Sequence, residues 1–88
     1  MDKLEIIEQL KERSKCFELY EVTTYKGYRT GKDGNVQDVN IEIFDAGEGK
    51  SHRYHVEATT NDGKMATGNP QDSLNDAITL VHWQDLDT

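Results

Sequence analysis

Strict alternation in the middle of the chain is the feature that most constrains its fold. In VQDVNIEIF (36–44), the apolar Val39, Ile41 and Ile43 are separated by single residues. This period of two predicts a β-strand with one buried face, because successive side chains of a strand point to opposite sides. Such a strand needs neighbouring strands beside it and a second layer over its apolar face.

A hairpin pattern follows this strand. In HRYHVEATT (52–60), Tyr54, Val56 and Ala58 fall on one face, with polar residues between them. The Asn-Asp-Gly sequence at 61–63 then predicts a type I′ hairpin turn, for which Asp-Gly is a favoured pair. The short segment KMAT (64–67) is interpreted as the return strand.

The segment upstream of the alternation predicts one more strand. CFELYEVTTY (16–25) is rich in aromatic and β-branched residues, which favour strands. GYRTGKDGN (27–35) carries three glycines and predicts a turn. The lone cysteine, Cys16, has no partner for an internal disulfide, and we expect it to be a small buried apolar residue.

Amphipathic helix patterns lie at both ends of the chain. Near the N-terminus, Leu4, Ile7 and Leu10 recur at helical spacing and Asp2 can cap the helix. Near the C-terminus, Asn69 is a good capping residue and Pro70 suits the first helical position. The second helix carries an unbroken apolar stripe of Leu74, Ala77, Ile78 and Val81. We expect Trp83, at its end, to close the edge of the core.

A helix start of this kind is also a possible phosphate site, because its free N–H groups and positive dipole end attract anions. Here Asp72 falls in the predicted first turn and Asp76 lies one turn further on. The Asp72 carboxylate already occupies the position that a phosphate would take, and the Asp76 carboxylate would repel a phosphate. The sequence therefore predicts a helix that covers a sheet, and no phosphate site.

Together the patterns predict one small α+β domain over residues 1–88. We expect a two-layer sandwich: an antiparallel sheet of three or four strands, with an N-terminal and a C-terminal helix on one face, in the order α-β-β-β(-β)-α.

Charge narrows the possible partners. The net charge is −7, and no cation follows Lys64, which disfavours nucleic acid and acidic membranes as partners. No signal-peptide pattern or long apolar run is present, so we expect a cytoplasmic protein that does not enter a membrane. Any basic face must come from the first part of the chain, at Lys11, Arg13, Lys15, Lys26, Arg29 and Lys32.

The second half, RYHVEATTNDGKMATGNPQDSLNDAI (53–78), resembles the end of a double-stranded RNA-binding domain. That family has a strand, a tight hairpin, a glycine-containing strand and a final helix in this order. The resemblance implies its α+β fold. Segment 17–30 is interpreted as an additional strand, which the ordinary topology of that family does not need. The family grips RNA phosphates with lysines at the start of the last helix. The matching positions here are Gln71, Asp72, Ser73, Leu74 and Asn75, so no binding residue carries over and we do not expect RNA binding through them.

The ending VHWQDLD (81–87) and the turn ATGNP (66–70) are also similar to short uncharacterised cyanobacterial proteins, which implies no activity.

No pattern for catalysis, metal or cofactor binding is found. His52 and His55 are three residues apart, so on a strand they point to opposite faces and cannot easily share a metal ion. Carboxylates are plentiful, but their spacing on strands is typical of a solvated face. The sequence predicts no catalytic residue, no metal site and no cofactor, and hence a protein that is not an enzyme.

Aromatic residues give the one candidate site. If Val39 and Ile41 face the helices, Phe44 projects to the opposite side of the sheet, where Tyr20 is also expected. Two exposed rings would form an apolar patch that a partner covers. We therefore expect a non-catalytic protein-interaction or regulatory module that binds an unknown protein or a second copy of itself through Tyr20 and Phe44. The alternative is a divergent nucleic-acid-binding domain that uses the six basic residues of segment 11–32.

Overall fold

Two helices, four strands and a final 3₁₀ helix make up residues 1–87, which the computed structural model describes. Each strand pairs antiparallel with the next strand in the chain, so the order of the strands in the sheet is their order in the sequence. The predicted α+β class, with an open antiparallel sheet between an N-terminal and a C-terminal helix, is confirmed. The elements are α1 (Lys3–Ser14), β1 (Glu21–Thr30), β2 (Val36–Asp45), β3 (Tyr54–Thr60), β4 (Met65–Thr67), α2 (Leu74–Thr79) and the 3₁₀ helix (Trp83–Asp87).

Alternation on the two central strands builds the core as predicted. Val39 of β2 is buried, as are Val56 and Ala58 of β3. In the register, Ile41 lies opposite Ala58 and Ile43 lies opposite Val56, so these side chains share one face. We call this the inner face of the sheet. The core is completed by Ala66, Ala77, Val81 and Leu86, with Ile41, Ile43, Tyr54 and Trp83 packed against it.

The second layer covers only part of the inner face. Helix α2 packs on β3, and the 3₁₀ helix packs on β4. Trp83 packs at the core edge as expected, and its indole Nε1 donates a hydrogen bond to the carbonyl of Ile78. The 3₁₀ helix also reaches β2 and β1, where the Leu86 carbonyl accepts a hydrogen bond from Gln37 and Asp87 pairs with Arg29. Tyr25, on the inner face of β1, is 57% exposed.

Helix α2 begins later than predicted. Its N-cap is Ser73, whose Oγ accepts a hydrogen bond from the Asp76 N–H, and not Asn69. Residues 69–72 are not helical, and Gln71 instead pairs with Tyr54 through two backbone hydrogen bonds. This pairing with the sheet holds the backbone of Gln71 outside the helix, which overrides the local preference of Asn-Pro to start one. Of the predicted apolar stripe, Ala77 and Val81 are buried, whereas Leu74 and Ile78 are exposed.

Ser73→Ala is therefore expected to lower the free energy of unfolding by about 1 kcal/mol, the usual loss for a capping side chain. Asn69→Ala is the matched control, since its side chain caps nothing, and it should change stability by much less. Chemical denaturation of both variants measures the difference. A larger effect at Asn69 would place the helix start where the sequence predicts it.

Strand β1 lies further along the chain than the sequence pattern indicates. It begins at Glu21 and continues to Thr30, so the turn contracts to residues 31–35. The reason is pairing, since all ten residues of β1 have a partner on β2. Cys16 falls in the irregular segment before the strand and is exposed, so the expectation that it is buried was wrong.

The β1–β2 hairpin and the β3–β4 hairpin use the same kind of turn. In each, a glycine with positive φ donates its N–H to the carbonyl of the residue three positions earlier. These glycines are Gly34, with φ of 86°, and Gly63, with φ of 88°. A type I′ turn would also require positive φ at Asp62, which that residue does not have. The predicted type I′ turn is thus wrong, and a turn followed by a left-handed glycine joins the strands instead.

Helix α1 lies at one end of the sheet. Asp2 caps it as predicted, with Oδ1 accepting from the Glu5 N–H, and the left-handed Lys15 ends it. None of its residues is buried, and Leu4 and Leu10 are exposed. The chain is accordingly elongated, with extents of 47 × 22 × 20 Å. Within residues 1–87, neither helix has the length and apolar character needed to cross a membrane.

Candidate partner-binding site

The sheet side that faces away from α2 carries a row of three side chains at one end. Because directly opposed residues share a face, Val22, Phe44 and His55 line up across β1, β2 and β3. We call this side the outer face. Helix α2 does not cover the outer face, because its Ala77 joins the core on the inner face.

Tyr20 and Phe44, the two predicted partner-binding residues, are in contact. Tyr20 directly precedes β1, and its ring centroid lies 6.2 Å from that of Phe44 in an edge-to-face arrangement with an interplanar angle of 89°. Phe44 also lies 5.8 Å from the His55 ring. Aromatic pairs prefer this edge-to-face geometry, because the positive ring edge meets the negative face. The three rings form one continuous surface.

These rings form the base of an open groove of about 500 Å³. We call it the aromatic groove and define it by Tyr20, Phe44 and His55 together with Phe17, Lys11 and Lys50. Phe17 is 91% exposed and Tyr20 is 45% exposed, so both rings have apolar area that a partner would remove from water.

An ion pair fixes the loop on one side of the groove. The Arg53 guanidinium donates two hydrogen bonds to the Asp45 carboxylate, at 2.6 and 3.0 Å, and stacks 4.9 Å from the Tyr54 ring. The Arg53 hydrogen bond holds the pKa of Asp45 below its ordinary value, even though burial opposes this. Asp45 therefore stays ionised, and the pair anchors the end of β2 to the loop before β3.

Carboxylates also contact the groove. Glu18 accepts a hydrogen bond from the Tyr20 hydroxyl at 3.1 Å, and this bond raises the pKa of Tyr20. Glu57 lies 3.0 Å from His55 Nε2. Each of these two carboxylates thus has a neighbour in the groove, while Lys11 and Lys50 form no ion pair within residues 1–87.

His55, Glu57 and Thr67 resemble the components of a hydrolytic site but are connected differently. The Thr67 hydroxyl lies 3.4 Å from Nε2 of His55, the same nitrogen that contacts Glu57. In a catalytic triad, the nucleophile's hydroxyl contacts one ring nitrogen of the histidine and the carboxylate contacts the other ring nitrogen. The second nitrogen, Nδ1, is buried without a hydrogen-bond partner in the described residues. This arrangement cannot pass a proton from Thr67 to Glu57 through the ring.

The remaining histidines are separate from this cluster. His52 lies in the turn before β3 with φ of 52°, and its N–H donates to Asp72 Oδ1. His82 follows α2, which ends at Thr79. Its N–H donates to the Thr67 carbonyl. Among residues 1–87, no three His, Cys, Asp or Glu side chains lie together in a way that could hold a metal ion.

The six basic residues of the alternative interpretation are not gathered on one face. Lys11 and Arg13 lie on α1 and Lys15 ends it. Lys26 lies on the outer-face side of β1, whereas Arg29 is on the inner-face side and pairs with Asp87 at 2.5 Å. The sixth, Lys32, lies in the turn after β1, ten residues of strand (about 30 Å) away from α1.

Sequence reasoning selected Tyr20 and Phe44 but missed other groove residues. Alternation along β3 puts His55 on the face opposite Val56, but only the register between β2 and β3 shows that it lies beside Phe44. Lys50 lies in the turn between β2 and β3, and the periodicity of the sequence does not predict to which side of the sheet a turn projects. Phe17 was assigned to a strand, whereas it belongs to the irregular segment before β1.

No protein-family model, curated protein or solved structure matches this chain. The resemblance of residues 53–78 to a double-stranded RNA-binding domain therefore stays a prediction.

Proposed function

We propose that this chain is a non-catalytic protein-interaction module that binds a partner protein through the aromatic groove. The observation that carries the proposal is the contact between Tyr20, Phe44 and His55 on an uncovered sheet face. Aromatic side chains concentrate binding energy at interfaces, since each ring buries a large apolar area at small entropic cost.

Charge around the groove suggests the chemistry of the partner. Lys11 and Lys50 are ammonium groups without an ion pair in residues 1–87, in a chain whose net charge is −7. Their position next to exposed rings suits a segment with an apolar or aromatic side chain beside a carboxylate. Electrostatic attraction of this kind would orient the partner, while the rings supply most of the affinity.

Partner capture from an extract of the native cell tests this proposal. We expect a captured protein to be lost when the bait carries Tyr20→Ser or Phe44→Ser, because each substitution removes a ring from the groove. Met65→Ser is the matched control, since Met65 is also exposed on the outer-face side but belongs to β4, away from the groove. Circular dichroism of each bait checks that the sheet persists.

Two results would contradict the proposal. Capture that is equal for all four baits would mean that the groove does not bind. Capture that disappears after RNase treatment, and that weakens steeply with salt, would favour the nucleic-acid alternative.

A further inference from the structure

Strand β1 is an edge strand with one side open along its whole length. The sheet order places it at the end, next to β2 alone. Its ten residues pair continuously with β2, without a bulge or a proline. Eight of them are exposed, including Tyr25 and Tyr28. Natural sheets normally shorten, kink or cover such an edge, since it is a template for another strand.

The hairpin geometry identifies which backbone groups are free at this edge. Gly31 directs both its N–H and its carbonyl toward the β2 side, to Asn35 and Gly34 respectively. In an antiparallel pair this direction alternates, so every second residue back from Gly31 also points to β2. The outward N–H and carbonyl groups are therefore those of the alternate residues Val22, Thr24, Lys26, Tyr28 and Thr30.

The β2 strand supports the same assignment. Tyr28 lies opposite Asp38, and the Asp38 carbonyl accepts from Asn61, on the side away from β1. Tyr28 and Asp38 are thus a non-hydrogen-bonded pair, so the backbone groups of Tyr28 face outward.

We propose that β1 pairs antiparallel with β1 of a second copy, around a two-fold axis at Tyr25, and so joins two sheets into one of eight strands. An axis perpendicular to the sheet keeps the two inner faces on the same side. Tyr25 then meets the partner's Tyr25, and Val22 meets the partner's Tyr28. At each end Glu21 lies opposite the partner's Arg29.

Charge complementarity selects this register. Glu21 already binds Lys3 at 2.9 Å, and Arg29 already binds Asp87. Pairing therefore places four charges of alternating sign in a row, from Lys3 through Glu21 to the partner's Arg29 and the partner's Asp87. An axis moved by one residue to Lys26 would instead place two ammonium groups opposite each other, and an axis at Thr24 would leave Glu21 opposite the partner's Gly27.

The surface area agrees with an unfilled interface. The chain exposes 6491 Å², whereas a compact monomer of its mass exposes about 5,200 Å². The excess is larger than the roughly 800 Å² that each partner buries in an interface of standard size, and it is shared between β1, with eight exposed residues, and α1, with no buried residue. Helix α2 packs on β3, away from this edge, and the 3₁₀ helix meets β1 through the ion pair of Asp87 with Arg29, which lies on the inner face and belongs to the row of charges described above.

Sedimentation and disulfide trapping test the proposal. At rising concentration, the native chain is expected to approach twice its 10.0 kDa mass. In a Cys16→Ser background, Tyr25→Cys should form a disulfide-linked dimer under mild oxidation, since paired Cα atoms about 4.5 Å apart suit a disulfide. Thr23→Cys is the matched control: Thr23 is also exposed and lies on the same face, but the two copies of residue 23 would lie about 13 Å apart.

A chain that stays monomeric at every concentration would overturn the proposal. Equal cross-linking of Thr23→Cys and Tyr25→Cys would overturn it as well, because random collision does not distinguish the two positions. Selective trapping at Tyr25 together with a concentration-dependent mass supports both the dimer and its register.

Discussion

Val56→Ser is expected to lower the free energy of unfolding by about 3–5 kcal/mol, because it removes a buried apolar side chain and leaves a hydroxyl in its place. Val56 is 2% exposed and is the largest fully buried side chain of the core. Three of the seven buried apolar residues are alanines, so few other side chains can compensate. A loss of this size is comparable to the whole stability of many small domains. Chemical denaturation measures it.

Phe44→Ser is the control for Val56→Ser. Phe44 lies on the outer face, half-buried by Tyr20 and His55, so its replacement removes apolar contact without opening the core. We expect a folded protein with a smaller loss of stability. Ile41, another inner-face residue, is only half-buried and is a weaker test than Val56. If Phe44→Ser unfolds the domain and Val56→Ser does not, the two faces of the sheet are reversed.

Gly68→Ala is expected to destabilise the fold by about 1–3 kcal/mol through overpacking. A Cβ at Gly68 would lie 2.7 Å from the Leu80 carbonyl oxygen and 3.3 Å from the Cα of Val81. Both contacts are with backbone, so no side-chain rotation relieves them. The segment after α2 would have to move away from the end of β4, where the His82 N–H binds the Thr67 carbonyl. Thermal melting measures the loss.

Gly27→Ala provides the matched comparison for Gly68→Ala. A Cβ at Gly27 meets no atom within 4 Å, and the backbone there does not require glycine. We expect unchanged or slightly higher stability, since alanine restricts the unfolded chain more than glycine does. Equal melting temperatures for the two variants would show that the backbone at residue 68 does not approach residue 80 closely.

The candidate site was predictable in part. Alternation in residues 36–44 places Phe44 opposite to Val39 and Ile41, and this follows from strand geometry alone. The prediction that Tyr20 lies near Phe44 required the assumption that the strand at Tyr20 and the strand at Phe44 belong to one sheet. Their contact with His55, and the position of Lys50 beside them, depend on register and on turn direction, which the sequence pattern does not specify.

The sequence by itself determined the local features: the capped first helix, the two alternating strands, the glycine turns and the α+β class. These follow from periodicity and from backbone preferences within a few residues. Tertiary structure decided where β1 and α2 begin, because pairing of Glu21 with Asp45 and of Gln71 with Tyr54 outweighs local propensity. It also left α1 without buried residues, since α2 and the 3₁₀ helix supply the second layer, and it left β1 with an open edge, since the strand order places β1 beside β2 alone.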